Sequence, residues 1–329
     1  MPRLTIAIPT LNRADLVARA IESALSQTSP EIEILVSDNG SADTTPAVIA
    51  RYSDPRLRTF RHEVTMPADK HGQFLIGEAR GEFFLGLSDD DFLEPEFAAE
   101  VLTVFEDHPE CVFVYTGCAV HYENIEVPAV VGPPIEPGLE FLASHYADRR
   151  EVIWCACATR VQLLRELSPP PAGCVIGDMF FWTQMAVRGP VGCVPRVLSH
   201  YILLRENNDN ISHGTAPVVW ARESRELAER VLAQLHDSGA GPEFLSTLES
   251  ACSRHIARSV ANQFLWTRIR GAGRAEAWQQ TIACLPYLSW DLPVVSRLGA
   301  ALLLPRKLLK HALLRAAAKQ GASRSATLS

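Results

Sequence analysis

Short runs of apolar residues alternate with stretches of helical spacing through the first two thirds of the chain. The apolar runs have the length and composition of buried strands. They predict strands at 4–8, 32–36, 57–60, 83–87, 111–116, 152–158 and 191–204. The stretches between them predict helices, among them 16–25, 71–79, 95–106 and 179–187. Strand–helix alternation with short connections favours an α/β fold with a mostly parallel central sheet.

The pattern changes at about residue 215. Beyond it the spacing is helical only, and it predicts helices at 218–236, 243–270, 274–284 and 298–318. We therefore expect an α/β domain at 1–215 and a helical region at 216–329. Within the first domain, the proline-rich segment 124–137 is predicted to be an irregular surface loop.

Three consecutive carboxylates follow the apolar run at 83–87, in a segment, residues 88–91, that we call the acidic turn. Asp89, Asp90 and Asp91 repel one another unless a cation lies between them. Mg²⁺ takes oxygen ligands and is often held by one or two carboxylates together with substrate phosphates. The carboxyl end of a strand in an open α/β sheet is also where ligands bind. The turn therefore predicts a metal–diphosphate site, and a solvated acidic turn is the alternative.

Two further polar segments could join this site. Asp38 and Asn39 follow the second predicted strand, and Asp178 opens a predicted helix. A metal on Asp90 would neutralise charge on a diphosphate leaving group, and a separate carboxylate would take the proton of an incoming hydroxyl. Capping is the alternative for Asp178, and Asn12 and Asp43 are also predicted helix caps.

Composition is that of an ordinary soluble protein, with 47% hydrophobic and 21% charged residues. The eight cysteines form no CxxC pair, and Cys155 and Cys157 are predicted on one face of a strand. We read no secretory signal and no apolar run of the roughly 18–20 residues that span a bilayer, so we expect a cytoplasmic protein.

Charge is distributed unevenly along the chain. Seven basic residues and no acid follow Asp291, and because the net charge is −7, residues 1–291 carry −14. An acidic body argues against a nucleic-acid partner. Residues 297–319 predict a basic amphipathic helix with Leu302, Leu308 and Leu309 on its apolar face. It either packs on the acidic body or lies on an anionic membrane surface.

Several motifs, in this order, resemble those of family 2 glycosyltransferases. They are Ile8-Pro9-Thr10-Leu11-Asn12-Arg13, Ser37-Asp38-Asn39-Gly40-Ser41-Ala42-Asp43, Ala79-Arg80-Gly81-Glu82, Leu87-Ser88-Asp89-Asp90-Asp91 and Gly177-Asp178. This family consists mostly of inverting nucleotide-sugar transferases with the nucleotide-diphospho-sugar transferase (GT-A) fold. The resemblance covers about residues 1–215 and implies that fold here, followed by a C-terminal helical extension.

The resemblance implies roles for individual residues. Asp178 would be the general base, and Asp90 with Asp91 would hold Mn²⁺ or Mg²⁺. The nucleotide-sugar donor would bind Pro9, Thr10, Asn12, Arg13, Asp38, Asn39, His71, Ser88, Asp89 and Arg205.

Three positions depart from the family pattern. Ser88 stands where the family's metal motif often begins with an acid. Asn39 replaces an aspartate that contacts uracil in some relatives, which weakens the assignment of the base. Asn207 stands where some members carry a histidine, and His213 is a weak substitute.

The function implied is transfer of a sugar from a nucleotide-diphosphate sugar to a glycan or lipid-linked acceptor hydroxyl. The resemblance implies a metal-dependent, inverting single displacement in surface polysaccharide biosynthesis, in the cytoplasm or on the inner face of the plasma membrane. A nucleotidyltransferase is one alternative, although residues 9–13 lack the glycine-rich loop that it would need. A non-catalytic sugar-nucleotide-binding protein is the other alternative.

Overall fold

The computed structural model describes most of the chain. The described residues are 1–122, 125–167, 169–171, 173–204, 216–270, 273–288, 292–305, 307–312, 314–316 and 319. The predicted boundary near residue 215, together with Arg205, Asn207 and His213, lies outside them. The domain division therefore stays a prediction.

Ten strands of the described residues form one mixed sheet in the order β3-β2-β1-β4-β9-β6-β10-β5, with β7 beside β6 and β8 beside β10. The strands are β1 Leu4–Thr10, β2 Ile32–Asp38, β3 Leu57–Arg61, β4 Phe83–Gly86, β5 Phe92–Leu93, β6 Phe113–Tyr122, β7 Ile125–Pro128, β8 Ile135–Glu136, β9 Cys157–Arg160 and β10 Val191–Leu204. Strands β1 to β4 are parallel, and so are β6 and β10. The predicted α/β architecture is confirmed.

Besides the helical residues 307–312, eleven α-helices lie in the described part of the chain. They are α1 Ala14–Leu25, α2 Thr45–Ile49, α3 Ala68–Glu78, α4 Phe97–Asp107, α5 Gly138–Tyr146, α6 Val161–Glu166, α7 Gly177–Ala186, α8 Pro217–Asp237, α9 Pro242–Arg270, α10 Arg274–Cys284 and α11 Leu292–Leu303. The helical character predicted beyond residue 215 is therefore confirmed for the described residues.

The sheet is buried on both faces. Ile6 and Ile8 of β1 point into a core that contains α1 and α4, whereas Ala7 points to the opposite core with α3, α5 and α7. Side chains of a strand alternate in this way between two faces. Residues of α8 and α9, such as Leu227 and Phe264, belong to the same core as Ala7. The C-terminal helices thus extend one of the two cores.

Two predictions for the middle of the chain are wrong. The segment predicted as a strand at 152–158 instead forms a 3-10 turn, Trp154–Ala156, followed by β9. The turn places Cys155 and Cys157 in opposite cores rather than on one face. The segment 124–137, predicted as an irregular loop, contributes the short strands β7 and β8. Strand β7 accommodates Pro128 because this proline is its last residue.

The single helix predicted at 298–318 is interrupted. Helix α11 ends at Leu303, and Pro305 follows. Proline lacks the N–H that a continuing helix would need. Beyond Pro305, Leu309 is 4% exposed and Leu308 is 54% exposed, so these two leucines do not share one face. None of the helices in the described residues has the length and apolar character required to cross a bilayer.

A close contact in the sheet requires a glycine at the end of β4. A Cβ atom at Gly86 would lie 2.1 Å from Nε1 of Trp154, which covers this strand. Gly72 in α3 faces the same cleft, yet a Cβ there would have no atom of the described residues within 4 Å. Alanine at Gly86 and alanine at Gly72 can therefore be compared, the first as a substitution that meets Trp154 and the second as a matched substitution in open space.

We predict that Gly86→Ala displaces the Trp154 indole and lowers the free energy of unfolding by about 1–3 kcal/mol, the usual cost of overpacking. Gly72→Ala should be neutral or stabilising, because alanine is the better helix former. Urea denaturation measures both effects. Equal stability of the two variants would show that the Trp154 contact does not require glycine.

Candidate active site

The first carboxylate of the acidic turn is anchored to the first strand. Thr10, the last residue of β1, donates a hydrogen bond from Oγ1 to Oδ2 of Asp89 at 2.7 Å. Asp89 is 9% exposed. Burial is the main cause that raises the pKa of Asp89 to about 6. The parallel pairing of β1 with β4 brings these two residues together although they are far apart in sequence.

The third carboxylate is buried behind the turn. Asp91 is 1% exposed, and its Oδ1 accepts a hydrogen bond from the backbone N–H of Ile202 in β10 at 2.9 Å. Burial, followed by the negative charge of Asp90, raises the pKa of Asp91 well above its usual range. A raised pKa favours the protonated form of this carboxyl, which carries no charge and so would relieve the repulsion within the turn.

The middle carboxylate faces a cation. The Arg13 guanidinium lies 3.8 Å from Oδ2 of Asp90. Arg19 of α1 donates a hydrogen bond to the backbone carbonyl of Asp90. Asp89 and Asp91 each have an oxygen engaged by the protein, so Asp90 is the best placed of the three to bind a cation. One carboxylate plus substrate phosphates is a common way of holding Mg²⁺, and this donor set fits such an ion.

The loop after β2 is arranged by its own polar side chains. Oδ1 of Asp38 accepts a hydrogen bond from the Ser41 N–H at 2.9 Å, and its Oδ2 lies 3.5 Å from Nε of Arg61. Within the described residues, Oδ2 of this fully buried carboxylate accepts no hydrogen bond. The Asn39 amide makes two 2.9 Å hydrogen bonds with the backbone of Met66. Asn39 therefore braces a neighbouring loop in this structure.

Asn12 is not a helix cap, contrary to the prediction. The N-cap residue of α1 is Arg13, and Asn12 has a φ of +54°. Its Oδ1 accepts a hydrogen bond from the Ala42 N–H at 2.8 Å, while its own N–H donates to Ser41. Asparagine tolerates this left-handed conformation better than most residues. Asn12 thus ties the loop after β1 to the loop after β2.

His71 lies in the interior beside β2. It is 4% exposed, and its Nε2 lies 2.8 Å from Oγ of Ser37, which also contacts His62. Burial is the main cause that lowers the pKa of His71 to about 4, and the neighbouring His62 lowers this pKa further. A neutral histidine in this position supports β2, whose end carries Asp38.

A cleft of about 770 Å³ joins the acidic turn to the helical side of the domain. Pro9 and Ser88 line it at the carboxyl ends of the parallel strands, as does Asp91. Asp178, the second residue of α7, also lines it. Oδ1 of Asp178 accepts a hydrogen bond from the Met179 N–H at 2.8 Å, and burial raises the pKa of this carboxyl. Carboxylates from two distant segments therefore share one cleft.

Much of the remaining cleft wall is aromatic. Trp154 and Phe181 contact each other with ring centroids 5.7 Å apart, and Trp220 of α8 joins them in the lining. Tyr201, for which the sequence predicts no role, also lines the cleft. Burial, then the charges of Asp91 and Asp178, raises the pKa of Tyr201. Only the position of β10 in the sheet reveals that Tyr201 lies near both carboxyls.

Sequence comparisons connect the first part of the chain to known proteins. Residues 5–145 match the sequence profile described as Glycosyl transferase family 2. The succinoglycan biosynthesis protein ExoO of Rhizobium meliloti (strain 1021) is 38% identical over 96 residues, which are 29% of this chain and 28% of that protein. The GalNAc(5)-diNAcBac-PP-undecaprenol beta-1,3-glucosyltransferase of Campylobacter jejuni subsp. jejuni serotype O:2 is 34% identical over 96 residues, 28% of this chain and 31% of that protein. The chain spans less than a third of the length of both relatives.

Solved structures resemble almost the whole chain. Residues 1–349 of S. aureus TarS, in complex with UDP-GlcNAc, superpose with a TM-score of 0.64 at 16% identity, covering 96% of this chain and 88% of that one. The mannosyltransferase PcManGT from Pyrobaculum calidifontis, in complex with GDP-Man and Mn²⁺, gives a TM-score of 0.53 at 20% identity, covering 91% and 86%. The fold is that of the GT-A nucleotide-sugar transferases. Residues 5–145, less than half of the chain, are thus similar in sequence to glycosyl transferase family 2.

The acidic turn makes stability depend on pH. The pKa of Asp91 is raised in the folded state, whereas an unfolded aspartate titrates near about 3.9. At pH values between the unfolded and the folded pKa of Asp91, the folded chain binds more protons than the unfolded chain. The free energy of unfolding therefore falls as pH rises. Asp89 contributes a similar fall in the free energy of unfolding, and this fall is complete above the Asp89 pKa of about 6.

We predict that Asp91→Asn makes this fall less steep, most clearly above pH ~6, where Asp89 no longer contributes. The substituted amide retains an oxygen that can accept from the Ile202 N–H. Urea denaturation at several values of pH between about 5 and 8 measures the effect. Asp107→Asn, at an exposed position, is the control. Parallel profiles of the wild type and Asp91→Asn would contradict the assignment.

Proposed function

We propose that the chain transfers a sugar from a nucleotide-diphosphate sugar to a hydroxyl of a glycan or lipid-linked acceptor, by direct displacement with inversion at the anomeric carbon. One observation carries this proposal. Ser88 and Asp91 of the acidic turn line the same cleft as Asp178, which comes from the other half of the domain sequence. A direct displacement needs the leaving-group site and the base on separate segments of the cleft. The reason is that the leaving diphosphate and the group that activates the acceptor act on opposite sides of the reacting carbon.

Asp178 is the proposed general base. Burial raises the pKa of its carboxyl, which brings it closer to the pH at which a general base works best. Its position in the first turn of α7 limits this rise, because the helix N-terminus favours the ionised form. The ionised carboxylate would accept the proton of the acceptor hydroxyl as that oxygen attacks.

The donor diphosphate would lie beside the acidic turn. Arg13, 3.8 Å from Asp90, would be a cation available to the diphosphate beside the acidic turn. A Mn²⁺ or Mg²⁺ ion held by Asp90 would neutralise the charge that develops on the leaving diphosphate. We place Asp91 behind this ligand, since one of its oxygens is engaged by Ile202. PcManGT is a protein of the same fold whose complex contains GDP-Man and Mn²⁺.

The nucleoside would lie at the ends of β1 and β2. Thr10, which is hydrogen-bonded to Asp89, ends β1, and Asp38 ends the neighbouring strand β2 and is followed by Asn39. Binding a uracil through Asn39 would require its amide to exchange a Met66 contact for the base. TarS is a protein of the same fold whose complex contains UDP-GlcNAc, which makes UDP-sugars the first donors to test.

The aromatic wall suits the acceptor. Trp154, Phe181 and Trp220 offer flat apolar surfaces in the cleft that Asp178 also lines. Aromatic rings pack well on the apolar faces of sugars. The names of two relatives, one for succinoglycan biosynthesis and one for an undecaprenol-linked glycan, support a polysaccharide or lipid-linked acceptor.

Membrane binding through residues 297–319 remains part of the proposal. Leu303 is 74% exposed and Leu308 is 54% exposed, so apolar surface is available beside Lys307. A lipid-linked acceptor would place the protein at the inner face of the plasma membrane. Leu309 is buried, which favours the alternative that this segment packs against the rest of the chain.

We predict that chelation by EDTA abolishes turnover of the donor and that Mn²⁺ or Mg²⁺ restores it. Asp90→Asn should be inactive with either ion, because the amide lacks the charge that holds a divalent cation. Its thermal unfolding should stay close to that of the wild type. Full activity of Asp90→Asn in the presence of EDTA would exclude Asp90 as a metal ligand.

We predict that Asp178→Asn lowers turnover by about 10²–10⁴-fold, the usual contribution of a positioned base. Donor affinity, measured by calorimetry, should change little, because the donor diphosphate lies beside the acidic turn. In the wild type, kcat/KM should rise with pH through a pKa above the ~3.9 of an ordinary aspartate, since only the ionised carboxylate can accept a proton. Loss of donor binding with turnover per bound donor intact would refute this role.

A screen of nucleotide sugars for hydrolysis and thermal stabilisation tests the function as a whole. A transferase should hydrolyse or transfer at least one donor in an Asp178-dependent manner. Stabilisation without turnover would favour a non-catalytic sugar-nucleotide-binding protein. Formation of a nucleotide sugar from a nucleoside triphosphate would favour a nucleotidyltransferase.

A further inference from the structure

Three potential metal ligands lie in a row across adjacent strands of the sheet. His121 of β6 is the direct cross-strand partner of Glu126 in the antiparallel neighbour β7. On the other side of β6, His200 of β10 pairs with Ala119, which lies two residues before His121 and on the same face. The pairing register alone therefore collects two imidazoles and one carboxylate on one face of the sheet.

The distances within this row suit a small cation. Nε2 of His121 lies 3.0 Å from Nδ1 of His200. Two nitrogens bound to one tetrahedral ion at about 2.0–2.1 Å would lie about 3.3 Å apart. One ligand atom from each of His121, Glu126 and His200 lies within 4.8 Å of the others. Glu126 is exposed, so a rotation of its side chain can close the remaining gap.

The second nitrogen of His200 is already oriented by a carboxylate. Its Nε2 lies 2.9 Å from Oε1 of Glu94. Histidines that bind metals commonly donate their other N–H to a carboxylate, which fixes the ring and its tautomer. With the proton on Nε2, Nδ1 of His200 presents a lone pair toward His121. The Phe92 ring, stacked on His200 with centroids 4.2 Å apart, holds the imidazole in this orientation.

We propose that His121, Glu126 and His200 form a binding site for a divalent transition-metal ion of the Zn²⁺ class, separate from the acidic turn. Two imidazoles and a carboxylate, with a fourth position for water, are a common ligand set of zinc. Imidazole nitrogen favours zinc, copper and nickel, whereas the oxygen donors of the acidic turn suit magnesium and manganese. The two sites therefore differ in the class of ion that each would select.

The proposed site lies on the opposite side of β10 from the cleft. Tyr201 lines the cleft, and the adjacent His200 must point to the other face because strand side chains alternate. The two sides are connected through Phe92, which directly follows Asp91. The Arg19 guanidinium lies 4.7 Å from the Phe92 ring centroid and donates to the Asp90 carbonyl. An ion at this site would therefore stabilise the conformation of the acidic turn from the face of β10 opposite the cleft.

Metal binding to the full-length protein tests this proposal without any assay of sugar transfer. After treatment with a chelator and its removal, the protein is titrated with Zn²⁺ by calorimetry and with Co²⁺ by visible absorption. The variants are His121→Gln, Glu126→Gln and Glu94→Gln. Asp90→Asn serves as the control for the acidic turn, and His236→Gln controls for an exposed histidine beside an acid.

We expect the wild type and both controls to bind one Zn²⁺ and to show the Co²⁺ spectrum of a four-coordinate site. Removing a ligand in His121→Gln or Glu126→Gln should abolish that spectrum and weaken Zn²⁺ binding by at least ~10-fold. Glu94→Gln should weaken it by about 10- to 100-fold, the effect of losing an outer-shell partner. Zn²⁺ should raise the Tm of the wild type, because it binds the folded state.

Unchanged Zn²⁺ affinity in both His121→Gln and Glu126→Gln would overturn the proposal, leaving an ordinary histidine–histidine hydrogen bond. Loss of the ion in Asp90→Asn alone would assign it to the acidic turn and would also overturn the proposal. Glu126 is exposed, so its variant is expected to fold even if His121→Gln does not. Failure of the transferase proposal would leave these binding results unaffected.

Discussion

The repulsion among three consecutive carboxylates is the constraint on which the site depends. Each carboxylate of the acidic turn is stabilised differently: Asp89 by the Thr10 hydroxyl, Asp90 by the nearby Arg13, and Asp91 by burial with a hydrogen bond from Ile202. Burial raises the pKa values of Asp89 and Asp91. These partners come from β1, from the loop after it and from β10. The arrangement of the turn therefore depends on contacts from both halves of the sheet.

The arrangement also explains why the site lies where it does. Parallel pairing of β1, β2 and β4 brings three loops to one edge of the sheet, and α7 brings Asp178 into the lining of the cleft. Gly86 lets Trp154 cover the last residue of β4, so an aromatic wall begins next to the acidic residues. A charged end and an apolar end in one cleft suit a donor diphosphate and a sugar acceptor, respectively.

The sequence predicted the parallel half of the sheet well because its strands are continuous apolar runs, as in 32–36. It failed where local pattern and tertiary structure disagree. Residues 152–158 are apolar enough for a strand but turn at Trp154 to cross from one core to the other. Motif order singled out Asp90 and Asp178 as candidates. Tyr201 and the row containing His121 and His200 could not be found in this way, because both depend on strand register.

The anomeric configuration of the first sugar released from a hydrolysed donor tests the central claim most directly. Proton NMR during the first turnovers identifies that anomer before mutarotation. Direct displacement between the acidic turn and Asp178 predicts the configuration opposite to that of the donor. Release of the donor's own configuration would require a second displacement, and it would contradict the account in which Asp178 activates the attacking hydroxyl.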